Sequence, residues 1–380
     1  MNIQSKLPDV GTTIFTKMSA LAAKHGAINL SQGFPDFDVD PELIQLVNTY
    51  MKDGYNQYAP MQGVHELRIK LAEKANRLYG AIVNPDTDIT ITAGATEALY
   101  AAITAVVRPG DEAVIIEPAF DTYMPAIVLN GGVPIYVGMT FPDYKINWDG
   151  VGNAITAKTR LIILNSPHNP TGMVISDQDL SALNRIVMDK DIFIISDEVY
   201  EHIIFDTQPH LSLLGHSPLS KRCFVISSFG KTYHTTGWKT GYCIAPPALT
   251  EEFRKVHQFL TFAVNTPIQH AYAEIMENQS YYDELKKFYQ EKRDRFLSLM
   301  APSKFKALPC SGTYFQMMDY SNISNTPDVA FAEEMTVEHG VAAIPPSVFY
   351  HNGKDNRVLR FCFAKKDKTL KEAADILCRI

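Results

Sequence analysis

Five short polar segments follow or interrupt apolar, strand-like runs of the chain, and each carries side chains able to bind or transfer a charged group. They are residues 92–98, 165–172, 196–200, 227–241 and 357–363. In open α/β sheets, ligands collect at the carboxyl ends of the strands. These five segments are therefore the candidate ligand-binding parts of the chain.

One of the segments carries an acid, and another carries a pair of lysines. Asp197 stands at the end of a predicted buried strand, where a carboxylate is costly unless it meets a cation or a strong donor; a helix N-cap is the alternative. Lys231 lies in a Gly-Lys-Thr sequence that resembles the end of a P-loop, but the motif needs a glycine where Val225 stands. A solvated pair of Lys231 and Lys239 is the alternative, although the flanking Ser, Gly, Thr and Trp residues are not typical of an exposed basic face.

The other three segments carry groups suited to anions. Residues 92–98 predict a strand, a glycine turn and a helix beginning at about Thr96, whose free N–H groups suit a phosphate; an ordinary N-cap is the alternative. Asn169 lies between two prolines that fix its backbone. Either this loop holds the Asn169 amide where it can donate or accept a hydrogen bond, or it is only a rigid loop. Arg360 is embedded in an apolar strand and matches a carboxylate, either a ligand's or that of an internal acid.

Seven apolar, β-branched runs predict the strands that position these groups. They are residues 88–92, 113–117, 133–137, 160–165, 192–196, 223–227 and 241–245. Several runs are apolar throughout, which is typical of a mostly parallel sheet covered by helices on both faces. Helices are predicted before and between these runs, one after the N-cap Asp40 and one from a capping box of Ser176 and Asp179.

The last third of the chain has a different pattern, which begins at about Phe253. A charged helix over residues 281–299, a second helix near 327–338 and a strand over 358–363 indicate a smaller α+β lobe.

Composition bounds the class of protein. The 380 residues, 46% apolar and 20% charged, are enough for two lobes, and the net charge of −7 argues against a general nucleic-acid binder. The five scattered cysteines form no C-x-x-C pair, so we expect no structural zinc and a reducing, cytoplasmic location. The chain shows neither a signal-like start nor an apolar run of about 20 residues, so we expect no membrane span.

The five segments, in this order, resemble those of a fold-type I pyridoxal-phosphate aminotransferase of class I/II. Within that family the chain is most similar to methionine aminotransferases and to the kynurenine/glutamine transaminase branch. The closest stretches are residues 29–37, 56–60, 196–200, 227–242 and 360–365. The resemblance implies an α/β fold with a seven-stranded, mostly parallel sheet between helices in a large domain, and a smaller α+β domain.

The resemblance also implies a division of the chain and an assembly. Residues 1–40 would form an N-terminal arm and part of the small domain, residues 41–270 the large cofactor-binding domain, and residues 271–380 the small C-terminal domain. A homodimer with its sites at the interface is implied as well.

Roles follow from the resemblance residue by residue. Lys231 would form a Schiff base with the aldehyde of pyridoxal 5′-phosphate, and Asp197 would pair with the pyridine nitrogen. The remaining cofactor contacts would be Tyr200 and Asn169 at the ring 3′-oxygen, Phe120 stacked on the ring, and Ala95, Thr96, Ser228 and Lys239 at the phosphate. Tyr58 would reach the phosphate held by the partner subunit.

The substrate contacts are implied in the same way. Arg360 would clamp the α-carboxylate of the substrate with help from Asn169 and the Gly33 backbone, and Phe15 would line the side-chain pocket. A neighbouring subunit would add Val264 and Asn265, where kynurenine-branch relatives often carry Phe-His, which leaves an apolar pocket.

The resemblance implies that the chain moves an amino group from an L-amino acid, such as methionine or another apolar or aromatic one, to a 2-oxo acid in a ping-pong reaction. A cysteine-conjugate or cystathionine β-lyase with the same cofactor is the alternative. A cofactor-binding regulator would need an added DNA-binding segment, and a nicotinamide enzyme would need a G-x-G-x-x-G motif that the sequence lacks.

Overall fold

The computed structural model describes residues 3–380. Its strands are β1 (Ile28–Asn29), β2 (Ile89–Thr92), β3 (Glu112–Glu117), β4 (Val133–Gly138), β5 (Thr159–Asn165), β6 (Phe193–Asp197), β7 (Cys223–Ser228), β8 (Gly241–Ile244), β9 (Lys306–Ala307), β10 (Phe315–Asp319), β11 (Val341–Ala342) and β12 (Val358–Cys362). Its α-helices are α1 (Ile14–His25), α2 (Pro41–Lys52), α3 (His65–Tyr79), α4 (Gly94–Val106), α5 (Tyr123–Leu129), α6 (Trp148–Ala154), α7 (Asp177–Val187), α8 (Phe229–Thr232), α9 (Pro247–Leu260), α10 (Thr266–Ile275), α11 (Tyr281–Met300), α12 (Asp328–Glu334) and α13 (Asp367–Leu377). No helix within residues 3–380 has both the length and the apolar character needed to cross a bilayer.

A seven-stranded sheet forms the centre of the larger lobe, in the order β2-β8-β7-β6-β5-β3-β4. Strand β8 runs antiparallel to both of its neighbours, and the other pairs are parallel. Within β5, Ile162 and Leu164 join one apolar core while Leu161 and Ile163 join another. Alternate residues therefore face two different cores, which confirms the predicted sheet covered on both faces.

The last third of the chain builds a second, antiparallel sheet in the order β12-β10-β9. In this sheet Arg360 of β12 lies opposite Met317 of β10. The N-terminal segment joins this lobe because Ile28 of β1 pairs with Val341 of β11.

Most predicted elements lie within a residue or two of the observed ones, and the predicted capping box of Ser176 and Asp179 is confirmed. The helix expected from about Thr96 begins two residues earlier, at Gly94, because the Glu97 carboxylate accepts a hydrogen bond from the Ala93 N–H at 3.1 Å and satisfies a donor before the first turn.

The helix expected over 327–338 also differs from the structure. Helix α12 ends at Glu334 and continues as a π-helical turn over Met335–His339. There the Thr336 hydroxyl donates to the Ala332 carbonyl at 2.7 Å and competes for a backbone acceptor.

Candidate active site

The carboxyl ends of β5, β6 and β7 open into a cavity of about 240 Å³ that both lobes line. Twelve of the thirteen predicted site residues line it: Phe15, Gly33, Ala95, Thr96, Phe120, Asn169, Asp197, Tyr200, Ser228, Lys231, Lys239 and Arg360. The thirteenth, Tyr58, lies outside the cavity with 84% of its surface exposed, and its ring is 5.5 Å from that of Phe262.

Lys231 projects into the cavity from the short helix α8, directly after strand β7. Its Nζ donates hydrogen bonds to the Gly33 carbonyl oxygen at 3.1 Å and to the Tyr314 hydroxyl at 2.8 Å. Burial, with smaller repulsion from the Arg360 and Lys239 charges, lowers the pKa of Lys231 from 10.5 to about 8. The amine is thus available in its neutral, nucleophilic form nearer to neutral pH than an ordinary lysine is.

This lowered pKa predicts when the Lys231 amine reacts with an aldehyde. The neutral fraction reaches one half at a pH of about 8 and is nearly complete at a pH of about 9. We expect the rate of borohydride-trapped labelling of Lys231 by a small aromatic aldehyde, followed by peptide mass spectrometry, to level off above that pH. Free Nα-acetyl-lysine is the reference and keeps gaining reactivity up to a pH of about 10. A Lys231 profile that parallels this reference would contradict the prediction.

Asp197 lies at the carboxyl end of β6, with only 3% of its surface exposed. Its Oδ2 accepts a hydrogen bond from the Tyr123 hydroxyl at 2.6 Å, and its Oδ1 accepts one from the Val199 N–H at a long 3.4 Å. Burial raises its pKa to about 6. Within residues 3–380 this carboxylate has no ion-pair partner, and the weak backbone bond does not make it an ordinary N-cap. A buried acid whose donors are one neutral phenol and one distant backbone N–H suits a cationic ligand.

The neighbouring acid shows the contrast. Glu198 is also buried, but it accepts hydrogen bonds from Ser196 Oγ at 2.7 Å and from the Leu213 N–H at 3.0 Å, and it lies 2.8 Å from His210 Nε2. Of the two adjacent acids, Asp197 alone faces the cavity.

The N-terminus of helix α4 forms one end of the cavity. Gly94 has φ +76°, a conformation that favours glycine, and a Cβ there would lie 3.5 Å from Lys239 Nζ. A Cβ on Gly241 would lie 2.8 Å from the Ala95 nitrogen, so only glycine lets β8 approach the helix start this closely. Free helix N–H groups, Lys239 and the Ser228 hydroxyl lie around one place, which suits a phosphate dianion.

Arg360 forms the opposite wall of the cavity, on β12. Its Nη1 donates to Asn169 Oδ1 at 2.7 Å and its Nη2 to the Ser31 carbonyl oxygen at 3.0 Å, while the guanidinium lies 3.8 Å from the Phe315 ring centre. Its Nε is buried without a hydrogen-bond partner, and no acid within residues 3–380 forms an ion pair with it. The alternative that Arg360 pairs with an acid of its own chain is therefore wrong, and its guanidinium group is available to a ligand carboxylate.

Aromatic rings line the space between these charged groups. The Phe120 ring lies 5.9 Å from that of Tyr123, and the Phe15 ring is 5.3 Å from the Arg360 guanidinium. Tyr200 is buried, and its ring is 5.6 Å from Lys231 Nζ.

Three residues with site contacts were not singled out by the sequence: Tyr123 at Asp197, Tyr314 at Lys231 and Phe315 beneath Arg360. Tyr123 stands six residues after strand β3 and outside the five polar segments, and the other two stand in a Gly-Thr-Tyr-Phe sequence that is typical of ordinary core. Of the two residues expected to serve a neighbouring subunit, Val264 is buried in its own chain and Asn265 caps helix α10, so neither lines this cavity.

Comparisons with known proteins show the family to which the chain belongs. The family model described as aminotransferase class I and II matches residues 25–377. A methionine aminotransferase of Escherichia coli is 51% identical over 98% of this chain and 97% of its own, and a kynurenine–oxoglutarate transaminase of Dictyostelium discoideum is 35% identical over 97% and 94%. The crystal structure of YbdL from Escherichia coli, described with a methionine aminotransferase function, superposes with a TM-score of 0.98 at 50% identity over the whole of both chains. The predicted fold and family are confirmed.

Proposed function

The chain belongs to the aminotransferase class I and II family, and we propose that, with pyridoxal 5′-phosphate bound, it moves the amino group of methionine or another apolar or aromatic L-amino acid to a 2-oxo acid. One observation carries the proposal. A single cavity holds a lysine amine with a lowered pKa, a buried acid without a cation and a buried arginine without an anion.

The residues present fit the cofactor. Asp197 offers a buried carboxylate for a cationic ring nitrogen, and the α4 N-terminus with Lys239 and Ser228 offers donors for a phosphate. Phe120 supplies a ring to stack on the cofactor ring, and Tyr200 and Asn169 supply polar groups for the 3′-oxygen. When bound, the cofactor supplies a protonated pyridine that accepts the electron pair released at the substrate Cα.

The chain's own groups position the reactants and move the proton. The charge of Asp197 favours the protonated form of the ring nitrogen beside it. The amine of Lys231, once free, would take the proton from the substrate Cα as a general base and, as a general acid, give it to the cofactor carbon that carried the aldehyde. Since the Gly33 carbonyl oxygen that accepts a hydrogen bond from Lys231 Nζ at 3.1 Å belongs to a residue of the cavity wall, the amine stays close to the reacting carbon.

Arg360 would hold the substrate α-carboxylate, with Asn169 beside it. We expect Arg360→Ala to raise KM for every amino donor by roughly tenfold to hundredfold, because a hydrogen bond to a charged group contributes about 1.5–3 kcal/mol. Initial rates with several donors test this. The control is Arg357→Ala, an exposed arginine three residues earlier, which should leave KM unchanged. A KM for Arg360→Ala equal to that of the control would remove Arg360 from the site.

The range of donors follows from the walls of the cavity. Phe15, Phe120 and Phe315 line it, and Arg360 and the two lysines are its only basic side chains among the residues that line it. With one fixed 2-oxo acid, we therefore expect methionine, leucine and aromatic amino acids to react faster than aspartate or glutamate, whose distal carboxylates would meet no further cation. A preference for aspartate would contradict the proposed specificity.

The lyase alternative finds no support in these relatives. A direct discriminator is whether the reaction needs an acceptor. A transaminase consumes an amino acid only when a 2-oxo acid takes up the amino group, whereas a β-lyase releases ammonia and pyruvate from a β-substituted amino acid alone. We expect acceptor-dependent turnover.

We propose a homodimer in which the exposed Tyr58 reaches the partner's phosphate and in which Val264 and Asn265 approach the partner's site. The exposed aromatic side chains Tyr58, Phe259 and Phe262 support such an interface.

The five free thiols fit the reducing cytoplasm that we propose as the location.

We also propose the division into an N-terminal arm over 1–40, a large domain over 41–270 and a small domain over 271–380. Strands β2 to β8 all fall in the second range, and β9 to β12 in the third. The boundary at 270 falls inside α10, whose buried residues share a core with β2, whereas α11 packs against β12. The short segment between α10 and α11 is therefore the better place for that boundary.

A further inference from the structure

The hydroxyl of Tyr314 contacts the amine of Lys231 and has no role in the function proposed above. It accepts a hydrogen bond from Lys231 Nζ at 2.8 Å and donates its own proton to the Gly33 carbonyl oxygen. The same carbonyl accepts a second bond from Lys231 Nζ at 3.1 Å. The amine is therefore held by two oxygen atoms, which are also joined to each other by a hydrogen bond.

The direction of these hydrogen bonds is fixed by chemistry. Burial raises the pKa of Tyr314 well above its usual value, so the phenol keeps its proton. The Gly33 carbonyl can only accept, so the phenol O–H must donate its hydrogen bond to that carbonyl. A lone pair of the phenol oxygen is then left facing Lys231. A lone pair facing Nζ favours the ammonium form of the lysine over the neutral amine.

The surroundings of Tyr314 hold its ring in place. The side chain is fully buried, and its ring meets those of Tyr200 and Phe315 edge-on, at 5.1 and 4.9 Å. The Gly33 loop is fixed against the same cluster, since a Cβ on Gly33 would lie 2.8 Å from Phe315 Cζ. Tyr314 thus links the lysine of the large lobe to a loop of the N-terminal segment.

We propose that Tyr314 is a positioning residue of the reaction, whose hydroxyl, together with the Gly33 carbonyl, holds the Lys231 amine over the cavity whenever that amine is not covalently bonded. The inference rests on the proposed function, in which Lys231 must be free while it moves the proton. Without the hydroxyl, the amine keeps one oxygen partner and spends less time near the substrate Cα.

The chain offers a matched control for this proposal. Tyr289 is fully buried in the same aromatic cluster, with its ring 5.7 Å from that of Tyr314, but its hydroxyl has no hydrogen-bond partner. Tyr314→Phe and Tyr289→Phe each remove one buried phenolic oxygen from the cluster. Only the first removes a partner of Lys231.

The experiment compares the full-length holoenzymes of both variants with the wild type, using methionine as donor and one 2-oxo acid as acceptor. For Tyr314→Phe we expect kcat to fall roughly tenfold to hundredfold, while KM for methionine stays within about twofold because Arg360 is untouched. The acid limb of the kcat–pH profile, along which Lys231 loses its proton, should move to lower pH by about one unit, since the acceptor that favours the ammonium is gone. Tyr289→Phe should match the wild type in all three quantities.

A Tyr314→Phe enzyme with the kcat and the acid limb of Tyr289→Phe would overturn the inference, and so would a fall in kcat without a shift of the limb, because lost packing alone would produce that. If Tyr314→Phe does not accumulate as folded holoenzyme, 3-fluorotyrosine placed at position 314 keeps the hydroxyl as a weaker acceptor and must move the limb in the same direction. A wild type that transfers no amino group from any donor would instead overturn the proposed function.

Discussion

Replacement of Lys231 by alanine is expected to abolish transamination while cofactor binding persists. Among the groups that line the cavity, we assign to the Lys231 amine the transfer of the proton at the substrate Cα, and proton transfer by a positioned side chain contributes up to about 10⁴-fold to the rate. We therefore expect kcat to fall by up to roughly 10⁴-fold. The phosphate donors at α4, Ser228 and Lys239 are untouched and should still retain the cofactor.

The control for this variant is Lys221→Ala. Lys221 is exposed and lies just before strand β7, whereas Lys231 follows the other end of the same strand. Turnover and the visible absorbance of the bound cofactor should be unchanged in Lys221→Ala and lost or shifted in Lys231→Ala. Normal transamination by Lys231→Ala would show that another group performs the proton transfer.

Asp197→Asn is expected to have the second-largest effect. The substitution preserves the size of the side chain but removes the one buried negative charge that faces the cavity without an ion pair among the described residues. Loss of one preorganised electrostatic partner in a buried site typically lowers kcat by about 10²–10³-fold. Cofactor affinity should also fall, because the cationic ring nitrogen loses its counter-charge.

Measurements of kcat and of the cofactor dissociation constant test this second expectation. Asp189→Asn serves as the control, since Asp189 is exposed shortly before strand β6 while Asp197 ends that strand. If Asp197→Asn retained both the turnover and the cofactor affinity of Asp189→Asn, the buried charge would have no part in the reaction.

The fold was predictable where sequence patterns are strong. The uniformly apolar run in β5 indicated a strand buried on both faces, and Ser176 with Asp179 marked the start of α7. The start of α4 was harder to predict from the sequence. The residue that accepts the hydrogen bond of the Ala93 N–H is Glu97, which lies within the helix, so no distinctive residue precedes the helix.

The site was predictable to the extent that its residues stand in recognisable motifs. Lys231, Asp197 and Arg360 each interrupt or follow an apolar strand, so their polarity was visible. Tyr314 and Tyr123 were not visible in this way, because a buried tyrosine in an apolar segment has the pattern of core packing. Their hydroxyl contacts arise from pairs distant in the chain, which spacing alone does not reveal.

Borohydride reduction of the protein loaded with pyridoxal 5′-phosphate, followed by peptide mass spectrometry, tests directly whether Lys231 is the residue that binds the cofactor aldehyde. We expect a single major cofactor adduct on Nζ of Lys231, and its loss when methionine is added before the reductant, because the amino acid displaces the lysine. A protein that takes up no cofactor, or an adduct on another lysine with Lys231 unlabelled, would contradict this expectation.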